Sequence, residues 1–268
     1  MSDLTSLLYK GQFLIKLEKQ LNSEMGNKPS SESVSPQAQR PNLELPIGSV
    51  VAKEVEKPRQ IINLPHNYET ILRDADQKST APCRTSSLPD KLLEQLQAKV
   101  YLSQKKRMYW VEKNSIKNCF MLFARDLSIT WSDESRYWHW QHQNDCDVSF
   151  EAAELVNVCW LEIHGIIDTT MLSPETLYEV AFVIMLKDQA YGWQVPVNVR
   201  LGLPSGNKQE RVENLMNKPR EQWIEIPAGE FRTSPENLGK IEISLFEYQG
   251  GIWKKGLVIK GIVIRPKN

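Results

Sequence analysis

Beyond residue 107, hydrophobic and polar residues alternate with a period of two, which is typical of β-strands with one face toward solvent. The clearest segments are 197–203, 223–226 and 241–245. Apolar runs of strand length, bounded by turn-forming residues, add further candidate strands at 108–112, 119–123, 127–131, 154–164, 176–187 and 257–264. Because no helical pattern of 10–15 residues stands between them, the sequence predicts an all-β fold, an antiparallel, jelly-roll-like β-sandwich.

Before residue 108 the hydrophobic spacing is that of helices. Leucines recur at helical intervals over 4–21, although Gly11 weakens this pattern. Residues 22–65 are rich in Ser, Asn, Gln, Lys and Pro, and cannot bury enough apolar surface to offset the entropy of ordering. Short helices are predicted at 66–76 and 89–100. We therefore expect a mostly disordered extension with short helices over 1–107, and one folded domain over 108–268.

Charge and composition separate the same two parts. Lys+Arg and Asp+Glu each total 33, so the formal net charge is zero. This argues against a dedicated polyanion binder, because binding by counterion release needs a basic excess. Residues 1–107 carry a net charge of +4 and residues 108–268 carry −4, and all eight Trp lie at or beyond Trp110. The composition indicates a Pro-rich extension joined to a Trp-rich domain.

The sequence has few signals for catalysis, metal binding or export. It contains no Gly-rich phosphate loop, no G-x-S-x-G and no H-E-x-x-H motif. His139, His142 and Cys146 lack the spacing of a zinc site, so we expect neither a metal nor another cofactor. No apolar run approaches the length of a membrane span, and the N-terminus lacks the pattern of a secretory signal. These observations favour a cytosolic protein.

The most informative segment is 125–140, where Trp131, Tyr137, Trp138 and Trp140 occur within ten residues. In a strand pattern, Trp138 and Trp140 share one face, whereas Trp131 lies at a strand end beside a polar turn. An indole face at a turn can stack on the C–H face of a pyranose while neighbouring polar groups bind its hydroxyls, and the same geometry suits a nucleobase. The residues alone also leave open that all these Trp side chains fill the core.

Several separated motifs carry a family resemblance. They are SITWSDESRYWHW (128–140), NVCWLEIHG (157–165), LYEVAFVIMLKD (177–188), YGWQVPV (191–197) and IWKKGLVIKGIVIRPKN (252–268), with HNYETILRDAD (66–76) upstream. In this order they resemble the phloem protein 2 family, the phloem lectins, in their A-type form with an N-terminal extension. Their lectin domain is shared with the tobacco lectin Nictaba. The resemblance implies a β-sandwich that binds N-acetylglucosamine oligomers, chitin fragments and the core of N-glycans, without catalysis.

Carried over residue by residue, the resemblance assigns sugar binding to Trp131 in ITWSD, Trp138 in YWHW and Glu247 in SLFEYQ. A second acidic position of the family is Lys240 here, which leaves the glycan preference open. The implied partners are N-acetylglucosamine oligosaccharides and glycoproteins, in the cytosol or phloem sap, with the nucleus as an alternative location.

The alternative function is an RNA- or protein-binding phloem protein, mobile or associated with filaments, in which lectin activity is secondary. The short basic run at 104–107 would serve that function, although three charges are usually a solvated linker face. Assembly into a homo-oligomer is left open.

Overall fold

The structure, a computed structural model, describes residues 64–76, 89–145 and 148–267. The predictions for residues 1–63 and for Cys146 therefore lie outside the described residues. Within these ranges the helices are α1 (Tyr68–Leu72) and α2 (Pro89–Gln97). The strands are β1 (Val100–Leu102), β2 (Arg107–Val111), β3 (Asn118–Phe123), β4 (Ser128–Ile129), β5 (Trp138–Asp145), β6 (Val148–Leu155), β7 (Leu161–Asp168), β8 (Leu177–Tyr191), β9 (Val197–Gly202), β10 (Lys208–Glu213), β11 (Ile224–Arg232), β12 (Lys240–Glu247) and β13 (Lys255–Pro266).

The strands form two antiparallel sheets. The five-stranded sheet has the order β10-β9-β12-β7-β4. The eight-stranded sheet is built around β13, which pairs with β3 and β6 along one edge and with β8 along the other. β2 and β1 continue the sheet beyond β3, β5 pairs with β6, and β11 pairs with β8. The prediction of an all-β antiparallel sandwich is confirmed.

The main core lies between the two sheets. Along β9, Val197, Val199 and Leu201 are fully buried while the intervening residues are only partly covered, as the alternating sequence predicts. Two tryptophans, Trp138 and Trp193, are among the largest side chains in this core. Three other tryptophans in or next to strands, Trp110, Trp160 and Trp223, are only partly buried.

The eight-stranded sheet is apolar on both faces, because β3, β8 and β13 are continuous apolar runs. Phe182 and Ile184 of β8 join the main core, whereas Val183 and Met185 belong to a second cluster on the opposite face. We call this second cluster the outer apolar face. Its members are Met108, Met121, Phe123, Val148, Phe150, Ala152, Ala181, Val183, Met185, Val258 and Val263.

The described residues before 108 pack onto the sandwich and belong to the same compact unit. Ile71 of α1, Leu96 of α2 and both Val100 and Leu102 of β1 are buried in the main core. Burying these side chains against the sheet removes apolar surface from water, which stabilises the folded state. The folded unit therefore begins before the predicted boundary at 107/108.

The turn between β1 and β2 ties residues 64–76 to the sheet. Ser103, Gln104 and Lys105 all have positive φ, at 52°, 59° and 63°, which is uncommon for residues with a side chain. The backbone N–H groups of Gln104 and Lys105 each donate a hydrogen bond of 2.7 Å to the carboxylate of Asp76. The backbone N–H of Asp76 in turn donates to the carbonyl of Tyr101 at 3.0 Å. The basic run at 104–107 thus begins in an anchored turn.

Two strand predictions need correction. The single strand predicted over 154–164 is two strands, since β6 belongs to the eight-stranded sheet and β7 to the five-stranded one. The connection 156–160 crosses between the sheets, and an apolar run does not reveal such a crossing. β10 was not predicted because its residues, KQERVE, are mostly exposed and lack an apolar alternation.

None of the described helices has the length and apolar character needed to cross a membrane.

Candidate functional site

The segment between β4 and β5, residues 130–137, crosses from one sheet to the other, and we call it the Trp131 loop. Its first residue, Thr130, donates its backbone N–H to the carbonyl of Glu162 in β7 at 3.1 Å. The carbonyl of Trp131 accepts a hydrogen bond from the N–H of Glu134 at 3.0 Å, and the carbonyl of Glu134 accepts one from Trp138 at 3.0 Å. These bonds fix the backbone of the loop along most of its length.

Trp131 is the second residue of this loop and is partly buried, with its side chain at the edge of the main core. Its ring packs on Tyr137, with the centroids 5.3 Å apart and the planes tilted by 39°. Its φ of 61° is in the left-handed region, where a residue with a side chain is strained by about 1–3 kcal/mol. The loop therefore imposes one backbone conformation on an aromatic residue, and such strain is concentrated at functional positions.

Trp138 supports the loop from the interior and offers no surface for a ligand. Its side chain is 2% exposed, and its indole Nε1 donates to the carbonyl of Thr130 at 3.0 Å. Trp140 acts similarly, because its Nε1 donates to the carbonyl of Ser132 at 3.0 Å. The assignment of Trp138 to direct sugar contact stays a prediction; in this structure its indole packs in the core and holds the loop backbone.

Glu247 is also an interior residue. Its side chain is buried at the end of β12, where it forms an ion pair with the fully buried Lys254. Its Oε1 also accepts a hydrogen bond of 2.7 Å from the backbone N–H of Gly250. The assignment of Glu247 to sugar binding likewise stays a prediction; in this structure its carboxylate contacts Lys254 and Gly250 inside the fold.

Lys240 lies one strand length from Glu247, at the other end of β12. Lys240 begins β12 and Glu247 ends it, and seven residues of strand span about 23 Å. Lys240 is exposed and faces Asp168 across the strand pair. A lysine at this position, where the resemblance implies an acidic residue, therefore changes the charge at one end of β12, whereas Glu247 lies at the other end.

Polar side chains from neighbouring strands adjoin the start of the Trp131 loop. The carboxylate of Glu162 accepts hydrogen bonds of 3.0 Å from the indole of Trp160 and 3.4 Å from the hydroxyl of Thr130. Its other oxygen contacts Nε2 of His164 at 3.0 Å. Burial raises the pKa of Glu162, but the hydrogen bonds from His164 and Trp160 outweigh burial and lower that pKa below its usual value.

His164 links two carboxylates on the outward side of the five-stranded sheet. Its Nδ1 lies 2.9 Å from Oε1 of Glu242 and 3.0 Å from the hydroxyl of Ser244. Burial lowers the pKa of His164, but the bonds to Glu162 and Glu242 outweigh it and raise the pKa to about 9. At neutral pH the imidazole is therefore protonated. We call Glu162, His164, Glu242 and Ser244 the polar cluster.

A row of stacked rings continues from the polar cluster across the sheet. Trp160 stacks on Tyr248 with centroids 4.4 Å apart, and Tyr248 stacks on Phe246 at 5.5 Å. The guanidinium of Arg200 lies over the ring of Phe246 at 4.8 Å, which closes the row at its other end. This row fixes the orientation of Trp160, and through its indole N–H it helps to hold Glu162.

The sequence itself contains a signal for these residues. In WLEIH (160–164), alternation puts Trp160, Glu162 and His164 on one face of β7. Three polar or aromatic side chains on the outward face of a half-buried strand indicate a surface for ligand contact. The interaction of His164 with Glu242, on β12, depends on strand pairing and is not visible in the sequence.

The residues considered for a metal site are not gathered into one. His142 lies within 3.0 Å of the hydroxyl of Ser149, and His139 is exposed on the same strand. Within the described ranges, no group of three His, Cys, Asp or Glu side chains is arranged to hold a metal ion. The candidate site therefore combines a partly exposed indole with a cluster of hydrogen-bonding groups that includes both donors and acceptors.

Comparison with known proteins adds the family context. The family model for phloem protein 2 matches residues 117–266. The chain is 47% identical over 212 residues to the phloem protein 2-like protein A1 of Arabidopsis thaliana, covering 77% of this chain and 83% of that protein. It is 44% identical over 210 residues to a protein named lectin from Luffa acutangula, covering 77% of this chain and 97% of that protein. A lectin of Coccinia grandis is 33% identical over 141 residues, which are 52% of this chain and 89% of the relative.

The family model covers more than half of the chain and includes β3 to β13, with the Trp131 loop and the polar cluster. The relatives named phloem protein 2-like and lectin match over most of their own length. The chain belongs to the phloem protein 2 family.

Proposed function

We propose that this protein is a lectin that binds N-acetylglucosamine oligomers, including chitin fragments and the core of N-glycans on glycoproteins. Two relatives carry the name lectin, and the family membership supports a setting in phloem sap or the cytosol. The protein binds these glycans without cleaving them. The observation that carries the proposal is the partly exposed Trp131, held in a left-handed conformation by a fixed loop beside a polar cluster.

The two parts of the site suit the two kinds of surface on a sugar ring. The flat face of Trp131 packs on the apolar C–H face of a pyranose, where burial of apolar area favours binding. Glu162 and Glu242 offer acceptors for hydroxyl and amide N–H groups, and both ring N–H groups of His164 hold these two carboxylates in place. A mostly preformed site of this kind loses little entropy on binding, because loop and side chains are already ordered.

Trp131 is the contact residue in this proposal, whereas Trp138 and Glu247 act through positioning. Trp138 holds the carbonyl of Thr130, the residue before Trp131, at 3.0 Å. Glu247 holds the segment after β12 through its bonds to Lys254 and Gly250. Loss of either side chain is therefore expected to weaken glycan binding together with stability, which distinguishes them from Trp131.

The test is Trp131→Ala, with binding measured by retention on chitin and by calorimetry with N-acetylglucosamine oligomers. Removing the indole face should weaken binding at least tenfold, which corresponds to about 1.4 kcal/mol. The midpoint of thermal unfolding should fall only modestly, because the ring packs at the edge of the main core but is only partly buried.

The matched control is Trp223→Ala, which removes another partly buried indole, one that packs on the outer apolar face. This variant should bind as the wild type does. Undiminished retention by the Trp131 variant would remove the site assignment, and a wild-type protein that binds no N-acetylglucosamine oligomer would refute the proposed function.

A further inference from the structure

A second pair of aromatic side chains is exposed on another connection of the sandwich. Trp253 is 46% exposed and Tyr191 is 48% exposed, more than any other Trp, Tyr or Phe side chain in the described part of the chain. Tyr191 ends β8, while Trp253 lies in residues 248–254, between β12 and β13, which we call the Trp253 loop. Neither ring is part of the main core or of the Trp131 loop.

The Trp253 loop is held rigid by a buried cation. The ammonium of Lys254 donates to the carbonyl of Ile252 at 2.9 Å and to that of Cys159 at 3.3 Å, in addition to its ion pair with Glu247. The backbone of Lys254 forms a bridge with Val158, with N–O distances of 2.7 and 3.0 Å. Trp253 is therefore half-exposed on a backbone fixed on its C-terminal side by buried polar contacts.

The two rings are carried by adjoining segments. Gly192 has a φ of +88°, and a Cβ built on it would lie 2.1 Å from the carbonyl oxygen of Trp253. The absence of a side chain at Gly192 lets the segment after Tyr191 approach the Trp253 loop this closely. The hydroxyl of Tyr191 is directed by a hydrogen bond of 2.9 Å to Oδ1 of Asn157.

The connection 156–160 joins this pair of rings to the Trp131 loop. The N–H of Val156 donates to the carbonyl of Tyr137, the ring partner of Trp131, at 2.8 Å. The next residue, Asn157, binds Tyr191, and Val158 bridges to Lys254. The Trp131 loop and the Trp253 loop are therefore both hydrogen-bonded to one short segment.

We propose that Trp253 and Tyr191 form a second carbohydrate subsite, which contacts the residues of a longer oligosaccharide beyond those that lie on Trp131. This inference rests on the proposed function and deepens it, because it makes affinity depend on the length of the glycan. It also gives Glu247 a role: its carboxylate pairs with Lys254 and thereby positions Trp253. The rings and the amide of Asn157 supply the stacking and hydrogen-bonding groups that a second sugar needs.

The test compares two ligands and two variants by calorimetry, using the trimer and the hexamer of N-acetylglucosamine. Trp253→Ala should weaken binding of the hexamer at least fivefold and change binding of the trimer less than twofold. Trp131→Ala should weaken both ligands. The matched control is Met216→Ala, which removes an exposed apolar side chain elsewhere and should change neither affinity. Because Trp253 is half-exposed, its variant should keep the wild-type thermal midpoint.

The outcomes separate the two proposals. If the hexamer binds the Trp253 variant as tightly as the wild type while Trp131→Ala weakens both ligands, the second subsite is refuted and the proposed function stands. Equal weakening of trimer and hexamer by Trp253→Ala would also refute it, since the residue would then belong to the first site. A wild-type protein that binds neither ligand refutes both proposals.

Discussion

Aromatic residues occur both around the Trp131 and Trp253 loops and on the outer apolar face, but their side chains are held in different ways in the two regions. On the outer apolar face, Phe123 stacks on Phe150 at 5.4 Å among Met and Val side chains. At the Trp131 loop, the indole N–H groups of Trp138 and Trp140 donate hydrogen bonds to carbonyls of the loop backbone. The outer apolar face is stabilised by apolar packing, which is non-directional. The loops depend on hydrogen bonds and ion pairs, which require a defined geometry.

This difference shows why Trp enrichment alone does not identify a binding site. Trp110 and Trp223 adjoin the outer apolar face, where most neighbours are apolar, although the ammonium of Lys260 also lies 5.4 Å from the ring centroid of Trp223. Trp131 and Trp160 adjoin Thr130, Glu162 and other groups that form hydrogen bonds. A polar ligand needs both an apolar surface and hydrogen-bonding partners, so the chemistry of the neighbours distinguishes the two regions.

The largest expected effect tests whether the stability of the Trp253 loop depends on its buried polar contacts. Glu247→Gln should lower the free energy of unfolding by about 3–5 kcal/mol, because it leaves the ammonium of Lys254 buried without a countercharge. Urea denaturation measures this loss. The control is Glu221→Gln, which removes an exposed pair with Lys187 and should change the free energy by less than about 0.5 kcal/mol. A loss below about 1 kcal/mol for Glu247→Gln would contradict the comparison.

A smaller effect tests the outer apolar face. Met121 is buried there and lies opposite Met108 in the strand pair. Met121→Ala should lower the free energy of unfolding by about 2 kcal/mol, near the low end for core truncations, because its site borders solvent. Binding to chitin should be unchanged in the folded variant. Loss of binding at wild-type stability would show that the outer face, and not the loops, contacts glycan.

The smallest effect concerns the pH dependence of the polar cluster. The pKa of His164 is raised to about 9 in the folded protein, above an unfolded value of about 6.5. Its stabilising contribution is therefore complete below about pH 6.5 and is lost as the pH rises through 9. Solvent around the exposed Glu242 screens the interaction, so we expect a loss of about 1 kcal/mol over this range.

The measurement is urea denaturation of the wild type and of His164→Gln between pH 6.5 and 9. The variant should lose the part of the pH dependence that arises from this side chain. An unchanged pH profile would show that His164 is not protonated in the folded state, and the charge of the polar cluster would then need revision.

Much of the fold followed from periodicity. Alternation identified β9 and β12, and continuous apolar runs identified β3, β8 and β13. The pattern failed where a strand has few apolar residues: β10 is a mostly polar edge strand, and β5 has the sequence WHWQHQND. It also failed to show that α2 and β1 complete the core, because short elements with few apolar residues resemble a linker in composition.

Of the site residues assigned from the sequence, Trp131 is partly exposed at the edge of the core, whereas Trp138 and Glu247 are buried. Their burial could not be read from the sequence, because it depends on how separate strands and loops pack together. Local alternation could have indicated Glu162 and His164. The contact between Lys254 and Glu247 joins two positions across a turn, and only the fold shows that it is buried.

The indole bonds from Trp138 and Trp140 to the loop backbone also have a kinetic consequence. A loop that is already fixed need not rearrange when a ligand arrives, so the rate of association should be set by encounter and orientation. Differences in affinity among glycans should then appear mainly as differences in residence time. For a protein that meets many weakly matching glycans, this means that unsuitable ligands leave quickly while a suitable one is retained.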